Sequence, residues 1–203
     1  MITVNRKCCN DNSNRYMMEK IISVRIADNK TKISNLNKIA KSINFPKSLI
    51  LKFLGTILHT TVNTDEYIIN KNIDNDNVLK EYLYDFIDDF KICKECHNPE
   101  TTPTIVTQNI IHIKKDKQVE RLYLTCSGCS ESYEVSQKSI KNKNEKAYKN
   151  AVKDITKFLK DNNNAWLSPN GSCVELCKIN SSSSMGTMVY SDSFDNFDDA
   201  LDF

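Results

Sequence analysis

Two pairs of closely spaced cysteines constrain this chain more than any other feature of its sequence. Cys93-Lys-Glu-Cys96 and Cys126-Ser-Gly-Cys129 are both C-x2-C knuckles, and residues 97–125 separate them. Four thiolates at this spacing favour tetrahedral Zn²⁺, with the sulfurs about 2.3 Å from the ion. Because all four ligands are cysteines, such a site keeps no open position for a substrate. The spacing therefore predicts a structural zinc site of Cys93, Cys96, Cys126 and Cys129.

The segment between the knuckles is typical of a long β-hairpin. Residues 103–113 and 118–125 are β-rich and flank Lys114-Lys-Asp-Lys117. This predicts a basic tip, with Lys114, Lys115 and Lys117 as candidate RNA contacts. Hairpin and knuckles together predict a zinc ribbon.

The sequence also contains the haem-attachment pattern C-x-x-C-H at Cys93, Cys96 and His97. The second knuckle argues against haem, and so does the start of the chain, which has no apolar signal segment. No run of about 18 uncharged apolar residues predicts a membrane span. We therefore expect a cytoplasmic protein whose eight cysteines are not paired as disulfides.

Charge is unevenly distributed along the chain. Residues 1–60 carry 11 Lys and Arg against 3 Asp and Glu, and residues 137–160 carry 8 against 2. Residues 161–203 reverse the balance, with 1 against 7. Basic blocks of this kind suit a polyanion such as RNA, and the alternative is a set of solvated helix faces.

Apolar periodicity predicts an α+β fold. Residues 1–20 show no regular pattern, and 138–160 form an amphipathic basic helix. Before the first knuckle we expect strands at 21–26, 31–33, 56–62 and 66–70, and helices at 34–43 (with Ser34 as N-cap), 47–54 and 76–90. The predicted organisation is a flexible tail at 1–19, an α/β domain at 20–90, the zinc ribbon at 91–136, the basic helix at 137–161 and a disordered acidic tail at 162–203.

No catalytic constellation is visible, so we predict a protein that is not itself an enzyme. The sequence has no P-loop, no G-x-G-x-x-G and no G-x-S-x-G, and its three histidines form no recognisable pair. The carboxylates of Asp85, Asp88 and Asp89 are expected on a solvated helix face.

Several motifs carry a resemblance to a known family. The stretch from Lys30 to Cys129 resembles the core shared by eukaryotic translation initiation factor 5 and the beta subunit of initiation factor 2. Val4-Asn-Arg6 and Arg15-Tyr16-x-Met18 resemble the start of factor 5. The other motifs are Lys30-Thr-Lys-Ile-Ser-Asn35, Ile39-Ala-Lys41, Lys52-Phe-Leu-Gly55, Tyr67-Ile-Ile-Asn70, Leu83-x-x-Phe86-Ile-x-x-Phe90 and Cys93-x-x-Cys96-His-Asn-Pro-Glu-Thr101. In contrast, Arg121-Leu-Tyr-Leu-Thr-Cys126 is more similar to the beta subunit.

The resemblance implies an α/β initiation-factor domain followed by the ribbon, and a role in start-codon selection. Factor 5 activates GTP hydrolysis by initiation factor 2 in the preinitiation complex. The family's arginine finger falls on Arg15, and two further functional lysines fall on Lys30 and Lys52. The implied partners are the GTP-bound gamma subunit of initiation factor 2, initiator tRNA and small-subunit ribosomal RNA.

The end of the chain departs from factor 5, because the chain is too short for that family's C-terminal helical-repeat domain. Its last residues interleave Phe194, Phe197, Leu201 and Phe203 with aspartates. This tail is expected to bind other initiation factors, and a solubilising role is the alternative.

Three further functions stay open from the sequence. The first is a beta-like subunit that assembles with the gamma subunit and supplies no finger. The second is a zinc-ribbon protein of transcription. The third is a decoy that joins the initiation complex without stimulating hydrolysis.

Overall fold

The protein is a mixture of helices and antiparallel sheets, which confirms the predicted α+β class. The computed structural model describes residues 1–6, 16–26, 29–110, 117–135, 145–163, 165–167 and 173–174. In chain order the elements are β1 (Ile2–Thr3), β2 (Met17–Met18), β3 (Ser23–Ile26), β4 (Lys30–Ile33), α1 (Leu36–Ser42), α2 (Lys47–Ile57), β5 (Val62–Asn63), β6 (Ile68–Ile69), α3 (Asp76–Phe90), β7 (Thr101–Ile110), β8 (Lys117–Cys126), β9 (Ser132–Glu134), α4 (Glu145–Asp161), β10 (Trp166–Leu167) and β11 (Cys173–Val174).

Helix α3 organises the core, and its bounds are those predicted. The Asn75 side chain caps its first turn by accepting a hydrogen bond of 2.9 Å from the Asn77 N–H. Its apolar stripe, at helical spacing, is buried along the whole length: Leu79, Leu83, Phe86, Ile87 and Phe90. The Phe86 ring lies 4.8 Å from that of Phe45 and 5.0 Å from that of Phe53, which joins α3 to α2 and to the residue before it.

A four-stranded antiparallel sheet in the order β3-β4-β6-β5 covers one side of these helices. Helix α1 follows it directly, but its N-cap is Asn35 and not the predicted Ser34. The Ser34 hydroxyl donates instead to the carbonyl of Ile22, at 3.0 Å. The Asn35 side chain accepts from the Ile22 N–H and donates to the Lys20 carbonyl, which ties the start of α1 to the chain before β3.

Two predicted segments differ from the structure. The predicted strand at 56–62 is wrong in its first part, because α2 continues to Ile57 and only Val62–Asn63 is paired as a strand. Residues 1–20 were predicted without regular structure, yet β1 and β2 pair with each other there. Val4 and Met18, beside this pair, are almost fully buried, so apolar contact with the core holds the pair in place.

The hairpin of β7 and β8 is longer than predicted and pairs Thr101 with Cys126 through Ile110 with Lys117. Strand β9 adds to its other edge. The basic helix is described over Glu145–Asp161 and packs against α2, with the Tyr148 ring stacked on Phe90 at 5.1 Å between centroids. None of the described helices is long and apolar enough to cross a membrane. The division of the chain into five segments stays a prediction.

Candidate metal centre and N-terminal clamp

The four predicted cysteine ligands come together at one point. Their sulfur atoms all lie within 4.8 Å of one another. Cys93 Sγ and Cys129 Sγ are 3.6 Å apart, and so are Cys96 Sγ and Cys126 Sγ. Four thiolates bound tetrahedrally to zinc at about 2.3 Å would be separated by about 3.8 Å. The group could therefore hold a metal ion, and its donor set and spacing are compatible with zinc.

The two knuckles have the same backbone geometry. In each, the residue four positions after the first cysteine donates its N–H to that cysteine's carbonyl, His97 to Cys93 at 3.1 Å and Ser130 to Cys126 at 2.9 Å. Both donor residues have left-handed backbones, with φ of 59° and 61°. His97 thus serves as a turn residue of the knuckle, as expected for a loop position. The matching turns direct both cysteine pairs toward the same point.

The surroundings of the sulfurs favour at least one thiolate. Burial opposes ionisation of Cys93, but the N–H groups of Cys96 and Glu95 outweigh it and lower the pKa of the Cys93 thiol. The Asn98 N–H acts in the same direction on Cys96, but burial and competition with the other three sulfurs raise its pKa to about 12. A divalent cation would relieve this competition, because it stabilises all four thiolates at once.

A buried lysine supports the ribbon beside the sulfurs. Lys91 is only 4% exposed, and its ammonium donates to the Thr101 carbonyl at 2.9 Å. Burial lowers its pKa to about 8, with Glu100 and Cys126 opposing the shift. Lys91 thereby links the end of α3 to the first residue of the hairpin.

A second cluster lies on the exposed side of α3 and centres on Arg6. Its guanidinium reaches three carboxylates at distances of 2.9 to 3.2 Å, those of Glu81, Asp85 and Asp88. These acids are one or two turns apart, so they face the same side of the helix. Of the acidic positions expected on a solvated face, Asp85 and Asp88 therefore serve as an ion-pair site for the N-terminal segment.

Further contacts fix the chain on both sides of residues 7–15. The Asn5 side chain donates to the His97 carbonyl of the first knuckle at 2.7 Å. The Tyr16 hydroxyl donates to the carboxylate of Glu100, and the Tyr16 carbonyl accepts from the Val4 N–H at 2.8 Å. We call Val4, Asn5, Arg6 and Tyr16 the N-terminal clamp. It places both ends of segment 7–15 next to the first knuckle.

The other predicted site residues are distributed over the chain. Lys30 begins β4 and is half-buried, whereas Lys52 is exposed on α2. Lys117 begins β8 at the described end of the hairpin. The remaining predicted residues lie outside the described part: Arg15, Lys114, Lys115, Phe194, Phe197, Leu201 and Phe203.

The clamp is the part of the site that the sequence did not predict. Its members are far from their partners along the chain, as with Arg6 and the acids of α3, so no local pattern reports the contacts. The only signal was the resemblance of Val4-Asn-Arg6 and Arg15-Tyr16-x-Met18 to factor 5, which marked these residues but not their roles.

Comparison with known proteins agrees with this architecture. Eukaryotic translation initiation factor 5 of Caenorhabditis elegans is 33% identical over 132 residues, which are 61% of this chain and 27% of that protein. Probable eukaryotic translation initiation factor 5 of Schizosaccharomyces pombe is 37% identical over 113 residues, 52% of this chain and 28% of that protein. The chain thus spans less than a third of the length of these relatives.

An archaeal protein is also similar. Translation initiation factor 2 subunit beta of Methanocaldococcus jannaschii is 28% identical over 96 residues, 46% of this chain and 65% of that protein. The sequence profile described as the domain found in initiation factors 2B and 5 matches residues 6–132, from the clamp arginine to β9. This match covers more than half of the chain, which therefore belongs to the family of the domain found in initiation factors 2B and 5.

Proposed function

We propose that this protein acts in translation initiation as a relative of factor 5 that stimulates GTP hydrolysis by initiation factor 2 and takes part in start-codon selection. The N-terminal clamp is the observation that best supports this proposal. It fixes the chain on both sides of residues 7–15, and Arg15 directly precedes the anchored Tyr16. An arginine anchored at its neighbour can be presented to a second protein at a defined place on the surface.

In this proposal Arg15 acts on the partner's nucleotide. Phosphoryl transfer spreads negative charge over the γ-phosphate oxygens, and an arginine supplied in trans can stabilise that charge. Its planar guanidinium offers paired donors that a lysine lacks. Lys30 and Lys52 are proposed as further cationic contacts to the complex. The protein itself would catalyse no reaction without the GTPase.

The metal centre has a structural role in the proposal. Four cysteines would hold Zn²⁺ and keep the first knuckle in the form that receives Asn5. The remaining proposed partners are initiator tRNA, small-subunit RNA at the hairpin tip and other initiation factors at the acidic tail. This work would take place in the cytoplasm.

Single-turnover GTP hydrolysis tests the proposal. The assay would use initiation factor 2, GTP and initiator tRNA on small ribosomal subunits, with wild type, Arg15→Ala and Arg15→Lys. We expect stimulation by the wild type and its loss in both variants, within the range of about 10³–10⁵ for a finger. Arg25→Ala is a matched control, because Arg25 is an exposed arginine on β3 that pairs with Asp74. Binding without stimulation by the wild type would contradict the proposal and leave a decoy.

The beta-like subunit is the second candidate, favoured by the archaeal relative, of which the chain covers 65%. A subunit of this kind would copurify with the gamma subunit in equal amounts and survive gel filtration as a complex. A stimulating factor would instead bind transiently and act at substoichiometric amounts over repeated turnovers. Stoichiometric copurification together with an inert Arg15→Ala change would favour the subunit.

A further inference from the structure

The outward face of α4 carries a row of lysines that the proposed function does not use. The opposite side of the helix fixes its orientation, because five side chains are buried against the core: Ala147, Tyr148, Ala151, Ile155 and Leu159. The stacking of Tyr148 on Phe90 adds a defined contact to α3. The helix cannot rotate without exposing this apolar side, so its outward face is fixed as well.

Lys146, Lys153 and Lys157 form the row. All three are exposed. Their spacing of seven and four residues places them within a narrow sector of the helix, since seven and eleven residues are close to two and three turns. At a rise of 1.5 Å per residue the row is about 16 Å long.

These three charges are uncompensated. Within the described part of the chain, none of them makes an ion pair. The two neighbouring lysines differ, since Lys149 pairs with Glu145 and Lys160 pairs with Glu120 of β8. Asp154 is half-buried at the flank of the row and pairs with none of the three. The field in front of the row is therefore positive over its whole length.

The row offers charge and almost no apolar contact. The large apolar side chains that are exposed in the described residues all lie elsewhere: Met1, Ile22, Val24, Val78 and Val106. A protein partner or a lipid surface would need apolar anchors for stable binding. A partner recognised by charge alone is a regular polyanion. We propose that the α4 lysine row binds the phosphate backbone of RNA.

The chain's own acidic tail is the competing occupant. It interleaves five aspartates with Phe194, Phe197, Leu201 and Phe203. Such a segment gains its affinity from aromatic anchors in apolar pockets, which the row does not provide. Phosphates spaced along a backbone need only the lysines, so RNA is the better match.

Salt-dependent binding of an RNA stem-loop tests the proposal. Fluorescence anisotropy would compare the wild-type full-length chain with K146Q/K153Q/K157Q. Each lost phosphate contact reduces the slope of log affinity against log salt by about 0.7–0.9, so we expect the slope to fall by about 2–3. Thermal unfolding should stay unchanged, because the three side chains are exposed and unpaired. The choice of RNA rests on the proposed function, but the assay contains no initiation factor 2, so each can fail separately.

Two triple variants serve as controls. K146R/K153R/K157R keeps the charges and should keep both affinity and slope. K20Q/K32Q/K41Q removes the same charge from exposed lysines elsewhere, and we expect it to change the slope by less than one. An unchanged slope in K146Q/K153Q/K157Q would overturn the proposal and leave the tail as the occupant. Equal losses in both glutamine triples would also overturn it, because they would report overall charge and not the row.

Discussion

At the scale of single residues, Gly55 explains how α2 ends against β5. A Cβ at this position would lie 2.5 Å from Val62 Cγ1 and 3.1 Å from the Thr60 carbonyl oxygen. The Thr60 N–H also donates to the Gly55 carbonyl at 2.9 Å, so the turn is held close to the helix. Alanine is the better helix former by about 1 kcal/mol, but overpacking costs about 1–3 kcal/mol. We expect Gly55→Ala to lower the free energy of unfolding in urea by about 1–2 kcal/mol.

Val62→Ala provides the control for this contact. It removes the methyl group that a Cβ at position 55 would meet, so the Gly55→Ala/Val62→Ala double variant should lose less stability than the two single changes summed. An additive double variant would show that the closeness of Val62 is not the cause. A Gly55→Ala protein as stable as the wild type would contradict the prediction itself.

Arg6 makes a second prediction at the residue scale. Removing its guanidinium leaves Glu81, Asp85 and Asp88 as neighbouring negative charges without their shared cation. We expect Arg6→Ala to lower the free energy of unfolding by roughly 1–2 kcal/mol and to speed hydrogen exchange of the Val4 amide. Arg6→Lys should recover only part of both effects, because an ammonium cannot reproduce the fork. Unchanged exchange at Val4 would show that the other clamp contacts suffice.

At the scale of one element, the acidic side of α3 predicts a pH dependence. Burial raises the pKa of Asp89 to about 6, with the carboxylates of Asp85 and Asp88 adding to the shift and Lys94 and Arg6 opposing it. The folded protein therefore holds this proton more tightly than the unfolded chain does. The resulting stabilisation is fully present below pH 3.8 and is lost as the pH rises through about 6.

Asp89→Asn isolates this effect from the other carboxylates. It mimics the protonated acid, so we expect the variant to be roughly 1–3 kcal/mol more stable than the wild type at pH 8 and equal to it near pH 4. Urea unfolding at a series of pH values gives the difference directly. Asp161→Asn, at the exposed end of α4, is the matched control. Parallel stability curves for Asp89→Asn and wild type would contradict the raised pKa.

The elements also show which parts of the fold follow from local sequence. Helix α3 was predicted to the residue because its apolar stripe has an unbroken helical period. Residues 56–62 misled the prediction because Thr56 and Ile57 favour strands, while packing of the helix on α3 extends it through them. The pair of β1 and β2 has only two residues in each strand. Strands so short depend on distant contacts that no local pattern contains.

At the scale of the whole molecule, the candidate site divides in the same way. The four cysteines could be located from spacing alone, because a knuckle is a local motif and a metal ion requires its ligands to meet. The clamp could not, since Asn5 and Tyr16 reach the ribbon across more than 80 positions of sequence. Its contacts are set by the position of the ribbon relative to α3, which is a property of the complete fold.

The metal centre should therefore matter beyond the ribbon. Leu122, Leu124 and Val135 of the ribbon belong to the same apolar cluster as α3 and α4, and Tyr133 donates to the Ile92 carbonyl at 3.1 Å. Metal binding energy in such a site is folding energy. We expect Cys93→Ser or Cys126→Ser to lose the bound zinc, to unfold the hairpin and to lower the thermal midpoint of the remaining fold.

Metal analysis, hydrogen exchange and calorimetry on the same variants separate these effects. Cys8→Ser is the matched control, because Cys8 is outside both knuckles and the same chemical change there should leave one zinc per chain. The ribbon also supplies the His97 carbonyl and the Glu100 carboxylate that hold Asn5 and Tyr16. Loss of zinc should therefore raise exchange at the Val4 amide as Arg6→Ala does, although the sulfurs are not in contact with Arg6. Unchanged zinc content in both knuckle variants would exclude these cysteines as ligands, and zinc loss without change at Val4 would separate the clamp from the metal centre.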